Sequence, residues 1–413
     1  MIGPSRLQAH KINDLQVFRG IAILVVLLEH APQAEIILSL FPHPIAVPGW
    51  LGVDLFFVIS GYVITRSLVR DRFEPLSFLI RRLFRLTPAL LLLVGLVGGV
   101  TMALSQTEFP GLKPSDWVPD PAKFWLALAS VLCGFATFRS PWDGGILAVA
   151  WSLSVEDQFY AALAVVCVVG ALALRRRAPQ ALPGLLFVLA AGLYLTITWM
   201  RLSLLFTGHF KGTSSPPLFY LQAFRFDLLA LGVILGFIGP RFHHRQGASF
   251  NNWGPFWTPI LLGLPFGLAA LCGLSLRLRH GLVLPVAGWC FGLLVLIAAH
   301  EKALPSGRGW GCRVLTYLGD RSYTIYLFHV PAMMPAVALL GTSLPIRSIG
   351  YCALHAAISI AVLFPLVELV YRVVERPLTE VGRRVSRRLR IIPADPSPEV
   401  GLSTAQTVGR KAA

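Results

Sequence analysis

Residues 17–31, VFRGIAILVVLLEHA, form a continuous apolar stretch except that Arg19 interrupts it and Glu29 and His30 close it. Comparable apolar segments recur along the chain, at about 13–31, 47–66, 86–104, 148–174, 181–199, 219–238, 255–274, 281–299, 315–340 and 349–373. Each is close to the ~20 residues that a helix needs to cross a bilayer. The pattern predicts an all-α fold, a polytopic membrane helical bundle of about ten transmembrane helices. One more apolar stretch, KFWLALASVLCGFATF at 123–138, is short and is expected as an interfacial or re-entrant segment. Pro32 directly follows Ala31 and spoils the region as a cleavage site, so the first helix is expected to stay as an uncleaved anchor.

Composition agrees with the pattern. Of 413 residues, 55% are hydrophobic and only 14% charged, and the mean hydropathy is +0.68. No polar segment is long enough to fold as a separate soluble domain. The net charge of +16 is explained by position: the basic residues flank the apolar runs. With the N-terminus inside, 25 Lys and Arg fall on the cytoplasmic side, 8 outside and 3 (Arg19, Arg225, Arg321) within spans. This bias places both termini in the cytoplasm and makes the charge a matter of topology, so no nucleic-acid partner is expected. Residues 1–378 read as the integral membrane body. Residues 379–413 read as a basic, partly disordered cytoplasmic tail whose arginines would meet anionic membrane lipid. The six cysteines never form a CxxC pair and the histidines lack metal-ligand spacing, so neither a metal site nor a disulfide framework is expected.

Several ionisable residues interrupt the apolar runs. Arg19 and His30 are eleven positions apart, three helical turns, and share one face about 16 Å apart along the axis. Asp54 lies in the second span, in GVDLFFVISGYVIT, and Glu156 and Asp157 open the fourth, in WSLSVEDQFY. There Ser152, Glu156 and Tyr160 recur on one face. Taken singly, Asp54 is as well explained by helix packing as by chemistry, snorkelling and interfacial placement are the weaker account of Arg19 and His30, and the adjacent Glu156 and Asp157 are harder to dismiss because each carboxylate is costly in lipid. Together, His30, Asp54 and Glu156 are expected at similar depth on three helices, and a carboxylate beside an imidazole is the arrangement of a general base. Arg81, Arg82 and Arg85 precede the third apolar run; either they set topology or Arg82 and Arg85 clamp a phosphate at a helix N-terminus. Arg225 and Asp227 are expected to satisfy one another, while Arg321 and His329 are equally consistent with packing.

These blocks, Arg19 and His30 with ten residues between them, GVDLFFVISGYVIT, RRLFRLTPA, WSLSVEDQFY, SYTIYLFHVP and a final VERPL, occur in an order that resembles the integral membrane acyltransferase 3 family, over about residues 12–380. The resemblance implies an enzyme of the bacterial cytoplasmic (inner) membrane. It would be an O-acetyltransferase that moves an acyl group, commonly acetyl, from cytoplasmic acyl-CoA to a hydroxyl of an acceptor, often a carbohydrate outside. On that likeness Arg19, His30 and Glu156 are expected to be catalytic, with Asp157 standing where a second glutamate is common. Arg82 and Arg85, with Arg19, would bind the donor. Asp54 joins the catalytic set as a partner for His30. Acyl-CoA is a co-substrate, and no permanently bound cofactor is expected. Some relatives append a hydrolase-like domain that does not appear here, so transfer would be completed by this chain or handed to another protein. A secondary transporter or lipid-linked-sugar flippase is the rival expectation, since buried charges on many helices serve it equally.

Overall fold

The computed structural model describes residues 13–31, 48–104, 149–174, 178–207, 225–246, 250–272, 275, 278–300, 303–304, 309–340 and 348–389. The described residues are helical, without a strand: α1 (Asn13–His30), α2 (Trp50–Arg70), α3 (Pro75–Leu104), α4 (Trp151–Leu174), α5 (Ala178–Thr207), α6 (Phe226–Gln246) and α7 (Phe250–Cys272). A π-turn, Arg279–Val283, leads into α8 (Leu284–Ala299), followed by α9 (Trp310–Asp320), α10 (Ser322–Leu340) and α11 (Ile349–Val370). A second π-turn, Tyr371–Glu375, leads into α12 (Arg376–Arg388). The predicted segment at 123–138 and the chain beyond residue 389 lie outside the described residues.

Seven helical stretches are long and apolar enough to span a membrane: Trp50–Arg70, Trp151–Ala173, Ala181–Ser203, Gly254–Cys272, Arg279–Ala299, Ser322–Leu340 and Ile349–Arg388. Each coincides with a predicted span. Of the other three predicted spans, those at 13–31 and 86–104 are helical in α1 and α3, and the described part of the one at 219–238 is helical from Phe226, in α6. The apolar part of α6, Phe226–Gly239, is shorter, and α1 carries Asp14, Arg19 and Glu29 within its 18 residues. The chain is a multi-pass membrane protein of all-α architecture.

Three boundaries differ from the sequence expectation. The segment predicted at 315–340 is broken at Arg321, whose φ of −105° and ψ of 5° end α9 before α10 begins. The helix expected from residue 86 starts at Pro75, a residue suited to the first helical turn, after a reversal in which Arg72 and Phe73 take positive φ. At the other end of the chain, α12 runs through residue 378 and packs on α3. Ser386 there hydrogen-bonds Ser77 at 2.6 Å, and Gly382 lies against Phe84.

Between lipid-embedded helices the hydrophobic effect gives little net attraction, so association depends on close packing and buried polar contacts. This chain brings backbones together through small residues. A Cβ on Gly20 of α1 would fall 2.1 Å from the Leu315 carbonyl oxygen of α9, and one on Gly319 of α9 would fall 1.9 Å from that of Gln16. Gly61 of α2 and Gly232 of α6 do the same, 2.1 Å from the Leu229 and 2.3 Å from the Val58 carbonyl oxygens. Helices α1, α2 and α6 are thereby held at the centre, where Phe18, Ile23, Val58, Ile59 and Leu229 are fully buried. The outward faces carry exposed apolar side chains such as Leu172, Leu195 and Leu271, as lipid contact requires.

Candidate functional site

The ends of α1 carry Arg19 and His30, and each gathers a separate set of polar side chains. At the Arg19 end, the three arginines of the α3 entry divide. Arg81 is committed to structure: its guanidinium pairs with Asp71 and donates to Ser77 at 2.8 Å and Ser386 at 2.7 Å, tying α3 to the α2–α3 turn and to α12. Arg82 turns into the bundle, its guanidinium carbon 5.2 Å from the ring centre of Tyr160 on α4 and 5.8 Å from that of Phe78. Arg19, 9% exposed, lies within electrostatic reach of Arg85, Arg82, Glu156 and Tyr160. Among the described residues none of Arg19, Arg82 and Arg85 stands within ion-pair distance of a carboxylate. The nearby acids interact at longer range: Glu156 with Arg19 and Arg82, Asp157 with Arg82, and Glu375 with Arg85 and Arg19. Because α3 begins at Pro75, Arg82 and Arg85 lie inside the helix and not at its N-terminus, which removes the helix-end contribution expected from the sequence.

At the other end, His30 Nδ1 lies 2.9 Å from the Val26 carbonyl oxygen. A carbonyl can only accept, so this nitrogen is the donor, and in the neutral ring the lone pair is then on Nε2. The ring meets His329 of α10 edge-to-face, with centroids 4.8 Å apart. His329 repeats the arrangement. It is fully buried, its Nδ1 donates to the Tyr326 carbonyl oxygen at 2.7 Å, and its Nε2 has no partner among the described residues. The Tyr326 hydroxyl in turn bonds Ser152 at 2.7 Å and the Val149 carbonyl oxygen at 2.9 Å, joining α10 to the start of α4.

The two ends are linked along α4. Ser152, Glu156 and Tyr160 follow one face as expected, with the Tyr160 hydroxyl donating to Glu156 at 2.8 Å. Contacts run from His30 to His329, Tyr326 and Ser152 at one end and from Glu156 through Tyr160 to Arg82 at the other, and Ser152 and Glu156 stand one turn apart on α4.

Two expectations about this set are corrected. Asp54 does not meet His30. It is fully buried and pairs with Arg225, because α2 packs on α6 through Gly61 and Gly232 and brings the two together. Glu156 is likewise remote from the imidazole in contact terms and belongs with Arg19 and Arg82, so His30, Asp54 and Glu156 are not one cluster. Nor do Arg225 and Asp227 satisfy each other: Asp227 accepts two bonds from Arg201 of α5, at 2.9 and 3.2 Å. Sequence reasoning singled out His329 without finding its partner, and it passed over Tyr326, Arg201, Arg279, His280 and Glu375. Glu375 ends the second π-turn, is buried, and accepts from Thr324. It lies in the VERPL block that carried the resemblance. Among the described residues no group of His, Cys, Asp and Glu could hold a metal ion.

No solved structure matches the chain. Curated proteins do. A protein of Staphylococcus aureus (strain COL) named "Putative O-acetyltransferase" is 26% identical over 390 residues, covering 90% of this chain and 58% of that protein. "Putative peptidoglycan O-acetyltransferase YrhL" of Bacillus subtilis (strain 168) is 27% identical over 360 residues, 83% of this chain and 52% of the relative. "O-acetyltransferase OatA" of Staphylococcus aureus (strain NCTC 8325 / PS 47) is 27% identical over 297 residues, 69% and 46%. The chain thus spans about half the length of the curated relatives it matches. The family described as "Acyltransferase domain" matches residues 12–365, which includes α1 with both of its ends and every contact between Arg82 and His30. The chain belongs to this acyltransferase 3 family.

Proposed function

We propose that the protein is a membrane O-acetyltransferase that takes an acetyl group from acyl-CoA at the Arg82 end of the bundle and delivers it to a hydroxyl of a cell-wall carbohydrate at the His30 end. The observation that carries this reading is the pair of polar side-chain sets at the two ends, His30, His329, Tyr326 and Ser152 at one and Glu156, Tyr160 and Arg82 at the other, carried one helical turn apart on α4 and made of groups that are individually costly in lipid. The names of the relatives, peptidoglycan O-acetyltransferase among them, suggest the acyl group and the acceptor class. The orientation follows from the basic flanks: the Arg82 end faces the cytoplasm of the inner membrane, both termini lie on that side, and about ten helices cross.

In this mechanism Arg82, Arg85 and Arg19 receive the phosphates and the thioester arm of the donor, their charge unmatched by any contacting carboxylate among the described residues. Tyr160 and Glu156 hold the Arg82 side of the path in place. At the far end the lone pair on His30 Nε2 takes the proton from the acceptor hydroxyl as its oxygen attacks the acyl carbonyl. The carbon–sulfur bond then breaks, and the CoA thiolate leaves with the proton that the imidazole gives up. His329, with its own free Nε2 beside His30, orients that ring. Tyr326 and Ser152 fix His329 through the α10 backbone.

Purified protein in detergent, given radiolabelled acetyl-CoA and a soluble peptidoglycan disaccharide, tests the reading. The expected result is labelled acetyl ester on the sugar with release of free CoA. A transporter or flippase would leave acetyl-CoA intact in detergent and act only across sealed vesicles, and that result would overturn the proposal.

A further inference from the structure

A second polar cluster lies within electrostatic reach of Glu29, the neighbour of His30, and takes no part in the contacts described above. It is assembled from the ends of α1, α2, α5, α6 and the first π-turn. Trp50 opens α2, and two guanidinium groups lie over its indole, Arg279 at 4.3 Å from the ring centroid and Arg225 at 5.3 Å. The π-turn widens the helix by one residue and presents Arg279 and His280 in succession to the same region; Gly281 keeps it tight against Leu205 and the Arg201 backbone. His280 is fully buried and in electrostatic contact with Arg225, Arg201 and Arg279.

The cluster is built but not satisfied. Among the described residues His280 has no partner on either ring nitrogen, Arg225 (2% exposed) has none on Nε, and Asp54 (0% exposed) has none on Oδ2. Arg279 likewise lacks a partner on Nε among the described residues. Buried polar groups left in this state cost free energy that a ligand or ordered water would recover. The charges are also uneven. Arg201 and Arg225 each hold a carboxylate, Asp227 and Asp54, whereas Arg279 is in no ion pair among the described residues. Glu29, on the exposed rim next to His30, acts on Arg279 and Arg225 at longer range. An indole that stacks on a guanidinium restrains its plane and leaves the N–H edge free, which is the preorganised form in which arginine recognises anionic oxygens.

We propose that Arg279, stacked on Trp50 and backed by Arg225 and His280, is an acceptor subsite that binds an anionic group on the sugar substrate, a carboxylate of the sugar or the phosphate of its lipid carrier. The inference rests on the proposed acyl transfer for the identity of the ligand, but the site itself is read from the side chains. It would hold the acceptor by its charge so that a hydroxyl falls at His30, the neighbour of Glu29.

Three labelled probes test it by equilibrium dialysis against the full chain in nanodiscs: a muramic-acid disaccharide with its free carboxylate, the same disaccharide as its carboxamide, and the carboxamide joined to a short prenyl diphosphate. Loss of one charge-assisted contact corresponds to about tenfold or more in Kd. Wild-type protein should therefore bind one anionic probe about tenfold tighter than the carboxamide. Arg279→Gln should abolish that preference without weakening carboxamide binding, and Arg279→Lys should keep part of it. Whichever anionic probe is preferred identifies the source of the charge. Equal binding of all three by the wild type, or an equal loss for all three in Arg279→Gln, would overturn the proposal. The wild-type comparison decides the matter even if the glutamine variant does not fold. Labelled acetyl-CoA added to the same samples separates the two readings. Preference without transfer leaves the anion site standing and removes the acyltransferase reading, while transfer without preference does the reverse.

Discussion

Arg201 and Arg225, at the His30 end, are each locked against an aspartate from another helix, whereas Arg19, Arg82 and Arg85, at the opposite end, have no carboxylate within ion-pair distance among the described residues. The two paired arginines hold α5, α6 and α2 together, and both are nearly inaccessible, at 1% and 2% exposure. Their charge is spent within the protein. Charges brought together from α1 and α3 without close partners are costly in a lipid environment, and an anionic ligand is the partner that would offset the cost. The same residue type thus supports the fold at one end and is left available at the other, and Arg279 extends the second pattern to the His30 end.

The comparison breaks if the paired arginines prove dispensable for folding. Arg225→Ala leaves Asp54 buried and uncompensated, so stability should fall by about 3–5 kcal/mol, read as a large drop in thermal midpoint of the detergent-solubilised protein. Replacing both partners, Asp54→Leu with Arg225→Met, should recover much of that loss. A single variant as stable as the wild type would contradict the structural role. At the other end the effect should appear in donor kinetics instead. Arg82→Ala removes no ion pair and should leave the melting temperature almost unchanged while raising the KM for acetyl-CoA about tenfold or more. Its neighbour Arg81 sharpens the contrast, because Arg81→Ala breaks the tie to Asp71, Ser77 and Ser386. That variant should lose stability, by about 1–3 kcal/mol, and keep the wild-type KM for the donor. If Arg81 and Arg82 variants behave alike, the division of the RRLFR block has no functional content.

Much of the fold was legible because lipid imposes it. A membrane-spanning helix has to satisfy its own backbone and present an apolar surface, so length and hydropathy located α2, α4, α5, α7, α8, α10 and α11. The break at Arg321 was not legible, since α9 is held by backbone contact through Gly20 and Gly319, a long-range fit that hydropathy does not record. The candidate site divides in the same way. Spacing along one helix correctly put Ser152, Glu156 and Tyr160 on a common face, and it marked His329 as an anomaly within an apolar run. Pairing between helices could not be read: Arg225 and Asp227 are neighbours in the chain, yet they bond to Asp54 and Arg201, and His30 meets a histidine where a carboxylate was expected. Depth estimates from residue counts placed Asp54 and Glu156 level with His30. For Glu156 the depth itself was misplaced, since it interacts with Arg19 and Arg82 at the opposite end, while Asp54 is taken by Arg225 from α6.

The central claim, that chemistry occurs at His30 while the donor is held by the arginines at the other end, is tested most directly by His30→Ala assayed for two quantities in one preparation: acetyl transfer to acceptor and binding of acetyl-CoA. Loss of a general base should cost about 10²–10⁴-fold in turnover, with the dissociation constant for acetyl-CoA within about twofold of the wild type, a difference of less than ~0.5 kcal/mol. Near-normal turnover in the folded variant, or a loss of donor binding equal to that of Arg82→Ala, would contradict the account.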